Sequence, residues 1–84
     1  MTKWYQYVVE CSDSSYYAGV TTDLNRRINE HNTTNKGAKY TRSRRPVKLV
    51  YSTEHSNRSE AQKAEAKFKK LTREEKKCKI YGRG

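Results

Sequence analysis

Near its start the chain has two short runs of aromatic and β-branched residues, and further on apolar residues recur at the spacing of a helix. Residues 4–10 (Trp-Tyr-Gln-Tyr-Val-Val-Glu) and 15–20 (Ser-Tyr-Tyr-Ala-Gly-Val) are aromatic and β-branched, with Ser12-Asp13-Ser14 between them as turn material, which predicts a β-hairpin. Alternation puts Tyr5, Tyr7 and Val9 on one face of the first strand and Tyr17 and Gly19 on one face of the second. Behind the N-cap chemistry of Thr21-Thr22-Asp23, the residues Leu24, Arg27, Ile28 and His31 recur at helical spacing until Asn32-Thr33-Thr34-Asn35 ends the helix. Arg27 and His31 therefore project from the same stripe as Leu24 and Ile28. After Pro46, Val47-Lys48-Leu49-Val50-Tyr51 reads as a third strand, since the missing proline amide is harmless at a strand start. A further helix follows Asn57-Arg58-Ser59-Glu60, in which Asn57 and Ser59 are both candidate N-caps and Ser59 with Gln62 has capping-box form. It runs to about Leu71, with Ala61, Ala64, Phe68 and Leu71 on its apolar stripe. Thr72-Arg73-Glu74-Glu75 restarts a short helix or turn, and the Gly-Arg-Gly end frays.

These elements predict one small α/β (α+β) domain with a three-stranded, mainly antiparallel sheet flanked by helices. At 84 residues the chain has too little interior for two cores, so residues 1–84 read as a single domain with a core of about 4–73 and a tail at 74–84. Apolar residues make up 32% of the chain, so seven tyrosines, Trp4 and Phe68 must supply much of the buried area. No apolar run of about 18 residues spans a bilayer and the N-terminus lacks an apolar signal region, which points to a cytoplasmic protein with no membrane partner. Cys11 and Cys78 lie in no metal or redox spacing and read as free thiols rather than a disulfide.

Charge is distributed unevenly. Residues 1–35 carry three Lys/Arg against four Asp/Glu, whereas residues 36–84 carry sixteen against five. The second half is thus strongly cationic, the footprint of a polyanion binder, and nucleic acid is the commonest polyanion inside a cell. The competing reading is a solvated surface that aids solubility. A membrane-surface role is disfavoured because the basic stretches lack an opposing face of large apolar residues. Lys36, Lys39, Arg42, Arg44 and Arg45 form a basic segment suited to a phosphate backbone, and Lys67, Lys69 and Lys70 add to it from the later helix.

Five residues stand out as candidate chemistry. Glu65 falls inside an apolar helix stripe, where an unpaired carboxylate is costly. A divalent cation would compensate it, and so would an i,i+4 ion pair with Lys69. Arg27 presents a planar fork that grips two phosphate oxygens, or else lies over the core by its stem. His31 can donate to a phosphate or relay a proton, or serve as a dipole partner at a helix C-terminus. Tyr7 and Tyr17 are either core or phenols that orient or deprotonate a water. Gly19 either admits a close approach or marks a strand bend.

Taken in order, these segments resemble the GIY-YIG nuclease domain of the short stand-alone type. Tyr5-Gln6-Tyr7 is similar to its first signature, keeping only the closing tyrosine, and Tyr17-Ala18-Gly19 to its second, keeping Tyr and Gly, with ten residues from Tyr7 to Tyr17. The stretch from Asp23 to His31 resembles the family helix that carries an essential arginine and, often, a histidine one turn on. Gly37-Ala38-Lys39-Tyr40-Thr41-Arg42 and Arg45-Pro46-Val47-Lys48-Leu49-Val50-Tyr51 resemble the segment leading into its third strand, and residues 59–69 the helix bearing its metal-binding glutamate. The likeness covers residues 4–73. The first signature lacks its glycine, and an asparagine found after the metal helix in some members has only Thr72 or Lys69 as stand-ins.

The resemblance implies a metal-dependent DNA endonuclease that hydrolyses phosphodiesters, structure-selective or weakly specific, acting in DNA repair or recombination. It assigns Tyr7, Tyr17, Arg27, His31 and Glu65 to catalysis, Glu65 to one Mg²⁺ or Mn²⁺, and Tyr5 and Gly19 to structural support of the site. The implied partner is DNA, with RNA as a second candidate. Sequence-specific cutting by so short a chain would call for a targeting protein or self-association, so the expected state is a monomer or weak dimer. The alternative is a catalytically weak or inactive nucleic-acid-binding module of the same fold.

Overall fold

A computed structural model describes residues 3–33 and 39–82. Its elements run β1 (Trp4–Glu10), β2 (Tyr16–Thr21), α1 (Leu24–Thr33), α2 (Lys39–Arg42), β3 (Lys48–His55), α3 (Arg58–Lys69) and α4 (Arg73–Tyr81). The strands form one sheet in the order β2-β1-β3, antiparallel throughout, so the aromatic first strand is central. The expected α+β architecture is the observed one.

The hairpin register places Tyr7 opposite Gly19, Val9 opposite Tyr17 and Tyr5 opposite Thr21. On the other side of β1, Val8 pairs with Tyr51 and Val9 with Leu49, leaving Val50 as a bulged residue. A bulge lets neighbouring residues turn to one face, and both Val50 and Tyr51 pack beside Val8. The third strand runs on to His55 although Ser52-Thr53-Glu54 is polar, because these residues pair with Tyr7, Gln6 and Tyr5 of the central strand. Backbone pairing overrides side-chain polarity there.

Two apolar clusters result, one on each face of the sheet. Tyr7, Val9, Cys11 and Val47 gather with Tyr17 and with Leu24 and Ile28 of α1. Val8, Ala18 and Phe68 of α3 gather with Tyr16, Leu71 and Ile80 of α4. Cys11 is buried and Cys78 exposed, and both are free thiols.

Helix ends follow the side chains available to cap them. Arg26 N–H donates to Asp23 Oδ1 at 3.0 Å, which starts α1. Asn57, rather than Ser59, caps α3 by accepting from Glu60 N–H at 2.9 Å. Residues 73–81, read from sequence as a short helix or turn leading into a tail, form a nine-residue helix. Thr72 and Glu75 make a reciprocal capping box at its start and Gly82 closes it at φ 70°. Its Ile80 supplies the tertiary contact that a helix this short needs. Asn32, expected only as part of a helix stop, clamps the entry to β3: its amide donates to Val47 C=O at 3.0 Å and accepts from Val47 N–H at 2.7 Å. Among the described residues, no helix is long and apolar enough to cross a membrane.

Candidate active site

The site is built on the α1 face of the hairpin. Because Gly19 faces Tyr7 across the ladder and has no Cβ, the phenol ring can lie directly over the β2 backbone. A Cβ at position 19 would stand 2.5 Å from Tyr7 Oη and 2.7 Å from Cζ. Close approach, and not a strand bend, is therefore what this glycine provides.

Above the ring, the apolar stripe of α1 brings Leu24 and Ile28 onto the cluster and carries His31 into it. His31 is fully buried at 0% exposure, between Tyr7 and Tyr17, whose ring centroids lie 5.9 and 5.6 Å away in edge-on geometry. Its Nε2 is 2.8 Å from Tyr7 Oη, and its Nδ1 is 2.8 Å from Thr41 Oγ1 of α2. Arg27, one turn before His31, donates from Nε to Tyr7 Oη at 3.4 Å and from Nη1 to Glu30 at 3.1 Å. The Arg27 side chain remains 26% exposed and so meets solvent, whereas Tyr7 is 1% exposed.

Electrostatics follow from this burial. His31 is pushed down from 6.5 to about 4, by burial first and then by the Arg27 charge, so the imidazole is neutral at pH 7. A histidine acting as a helix C-terminal dipole partner would be shifted the other way. Burial raises the Tyr7 phenol above 10, against the hydrogen bond and charge of Arg27; Tyr17 and the carboxylate of Glu65 add to the rise. Burial disfavours the Arg27 charge, but hydrogen bonds to Tyr7 and Glu30 outweigh it and raise its pKa.

Glu65 lies on the sheet-facing stripe of α3 between the buried Ala61 and Phe68. Its side chain is 22% exposed, and Lys69 Nζ stands 3.5 Å from its Oε2. Both readings of this residue thus keep a basis, with the ion pair present and the carboxylate's field reaching Tyr7. Among the described residues no group of three or more His, Cys, Asp and Glu gathers to hold a metal. One part-exposed carboxylate still suits Mg²⁺ or Mn²⁺, hard ions that keep several waters and take substrate phosphate oxygens as further ligands. Glu65 is the residue of the five candidates whose carboxylate would hold such an ion.

The other expected residues divide. Tyr17 joins the cluster, half-buried beside His31 and stacked on Tyr40 at 5.8 Å. Tyr5 lies two residues before Tyr7 on the same face of β1 and lines a shallow pocket with Leu24 and Leu49. Lys39 and Arg42 are exposed on α2, and Lys67 and Lys70 are exposed along α3 and its C-cap. Lys69 is engaged with Glu65. Arg44 and Arg45 serve the fold: Arg44 pairs with Asp13 at 3.0 Å and covers the Tyr40 ring at 4.1 Å, while Arg45 donates to the His31 carbonyl. Lys36 lies outside the described residues. Thr41 and Glu30 were not singled out from sequence. Glu30 had a visible signal, the i,i+3 spacing from Arg27; Thr41 had none, since only the fold brings it to His31. A groove of about 500 Å³ lies on the opposite face, between β3, α3 and α4, and includes none of the five candidate catalytic residues.

Comparison with known proteins agrees with the fold. The family model described as the GIY-YIG catalytic domain matches residues 3–79. A UPF0213 protein of Streptococcus agalactiae serotype V is 58% identical over 72 residues, covering 86% of this chain and 81% of the relative. The solution NMR structure of a UPF0213 protein from Bacillus halodurans superposes with a TM-score of 0.61 at 41% identity, covering 98% of this chain and 86% of that one. A second NMR structure, of a protein from E. faecalis, gives a TM-score of 0.60 at 48% identity, covering 92% and 82%.

Proposed function

Since the chain belongs to the GIY-YIG catalytic domain family, a family of nucleases, we propose that it hydrolyses DNA phosphodiesters with the help of one divalent metal ion. The observation that carries this reading is the buried Tyr7–His31 hydrogen bond of 2.8 Å with Arg27 beside it. A phenol in hydrogen-bond contact with a neutral imidazole, behind a guanidinium that reaches solvent, is the arrangement needed to bind a phosphate and take a proton from a nucleophile.

In this mechanism Arg27, oriented by Glu30, grips the scissile phosphate and offsets charge in the transition state. Moving the guanidinium toward a phosphate uncovers the Tyr7 hydroxyl, which is otherwise closed off from water. Tyr7 accepts a proton from the attacking water and passes its own to His31 Nε2, so the phenol never carries a full negative charge. A phosphate on Arg27 also offsets the positive charge that helps hold His31 neutral, which makes the imidazole a better acceptor when substrate is bound. Tyr17 walls the same pocket and orients the water. Glu65 would hold Mg²⁺ or Mn²⁺, which supplies Lewis-acid stabilisation of the phosphate and of the leaving oxygen.

The substrate class is DNA, cut with structural or weak sequence preference in repair or recombination, with RNA as the second candidate. These 84 residues act as one catalytic domain, as a monomer or weak dimer. A second reading, nucleic-acid binding without turnover, is favoured by one observation, the Lys69 ion pair that occupies Glu65. Cleavage of duplex, flapped and branched DNA with Mg²⁺ or EDTA, by wild type, Glu65→Ala and Arg27→Ala, separates the two. Metal-dependent cutting lost in both variants supports the nuclease, and equal cutting by Glu65→Ala sinks the metal role.

A further inference from the structure

We propose that Thr41 is a positioning residue that holds His31 in the tautomer with Nδ1 protonated and Nε2 open to the Tyr7 hydroxyl. The Arg27 guanidinium can only donate. Arg27 Nε–H points at Tyr7 Oη, so the phenol oxygen is an acceptor there and its own hydrogen is directed to its other partner, His31 Nε2. For Nε2 to accept, the ring hydrogen of the neutral imidazole must sit on Nδ1. The acceptor facing Nδ1 is Thr41 Oγ1 at 2.8 Å, on a residue that is itself 0% exposed.

The segment carrying Thr41 is a single turn and has no helical stability of its own. It is pinned from both sides. Tyr40 stacks on Tyr17, Arg44 covers Tyr40 and pairs with Asp13 of the hairpin turn, Arg44 N–H donates to Thr41 C=O at 3.0 Å, and Ser12 N–H donates to Arg44 C=O at 2.9 Å. The hairpin that supplies Tyr7 and Tyr17 thus also fixes the hydroxyl that selects the state of His31. Without that hydroxyl the buried Nδ1–H loses this acceptor. Moving the ring hydrogen to Nε2 relieves it, but Nε2–H then points at the Tyr7 oxygen and the phenol proton loses its imidazole acceptor. The relay is broken with every catalytic side chain still in place.

The effect on turnover rests on the nuclease reading, whereas the tautomer does not, so the two are measured separately. Long-range ¹H–¹⁵N spectra of the imidazole rings distinguish the tautomers in the wild type, Thr41→Val, Thr41→Ser and Thr41→Ala. The chain has two histidines, so His55→Gln identifies the His31 signals. We expect Nδ1–H at His31 in the wild type and Thr41→Ser, and a shift of the population to Nε2–H in Thr41→Val and Thr41→Ala. With Mg²⁺ and branched DNA, kcat falls on the order of 10–100-fold in Thr41→Val and Thr41→Ala with KM changed less than about threefold, and Thr41→Ser recovers most of it. Should the valine variant not fold, the serine and alanine pair still differ only by the hydroxyl. Wild-type His31 found as Nε2–H, or an unchanged tautomer in Thr41→Ala, overturns the proposal; so does a serine variant as impaired as alanine. If the wild type cuts nothing, the nuclease reading fails and the spectra still decide Thr41.

Discussion

Gly19→Ala adds one methyl group to the edge strand, and the structure makes it among the most disruptive small changes available to this fold. The new Cβ would meet Tyr7 Oη at 2.5 Å, Cζ at 2.7 Å and Cε2 at 3.0 Å, all below ordinary contact. The far end of a side chain usually yields cheaply, but this ring is 1% exposed, packed with Val9 and Val47, and tied at its hydroxyl to His31 and Arg27. Forcing it aside carries the ~1–3 kcal/mol of overpacking. Parting Oη from Nε2 leaves a buried ring nitrogen unsatisfied, another ~1–3 kcal/mol. Removing a strand glycine returns only ~0.5–1 kcal/mol of backbone entropy. The net loss is about 1–5 kcal/mol, which in a domain of this size lowers Tm by at least ~4 °C. Circular-dichroism melts measure it. Adding Tyr7→Phe removes the nearest clashing atom and should recover part of the loss non-additively. A Tm within about 3 °C of wild type in Gly19→Ala, with the His31 ring signals unchanged, refutes the argument that this glycine exists to seat the phenol.

Three further outcomes are expected. His31 stays neutral down to about pH 4, whereas in the unfolded chain it protonates near 6.5; stability is therefore full above 6.5 and lost as pH falls toward 4, by ~3 kcal/mol. Urea midpoints between pH 7.5 and 4, with the His31 titration followed by NMR, check this, and a His31 midpoint near 6.5 contradicts it. Lys69→Met removes the cation 3.5 Å from Glu65 and should tighten Mn²⁺ binding several-fold, read by paramagnetic broadening around α3; weaker binding would remove Glu65 as the ligand. Asn32→Leu takes away both bonds to the Val47 backbone and should cost about 2–4 kcal/mol in urea unfolding, most of it from leaving buried peptide groups unpaired. A loss below 0.5 kcal/mol, the range of an ordinary surface change, would show that the clamp is incidental.

Periodicity carried much of this architecture. The alternating side-chain direction of strands over residues 4–10 and 15–20 is sufficient to put Tyr7 and Tyr17 on one face, because an antiparallel hairpin leaves little freedom in register once a turn is placed. Helical spacing in α1 likewise stacks Arg27 and His31 on the stripe that must face the sheet. What the pattern left open was the physical state of those groups. From sequence alone His31 also reads as a helix dipole partner, since its burial depends on α2 and on two tyrosines that lie far from it in the chain. The Glu65 stripe was legible, yet whether its carboxylate meets Lys69 or a metal depends on occupancy, which no spacing encodes.

The basic segment shows why composition misleads at the level of single residues. Charge counting treats Arg42, Arg44 and Arg45 alike, but a guanidinium is also the side chain best able to tie loops together, with five donors in a fixed fork. Here Arg44 closes the hairpin turn onto α2 and Arg45 caps the carbonyl of His31, so two of the cations nearest the site hold it in shape. Thr41, lying among them, looks like an ordinary polar residue of a cationic loop and is instead as buried as any residue in the core. Its partner is a ring nitrogen on another element, and a hydrogen bond of that kind leaves no periodic trace. The part of the site visible in sequence is therefore the part that faces the sheet, where side-chain direction is set by backbone geometry. The part that selects protonation states comes from a one-turn helix held by arginines, and it becomes visible only when donors and acceptors are paired in three dimensions.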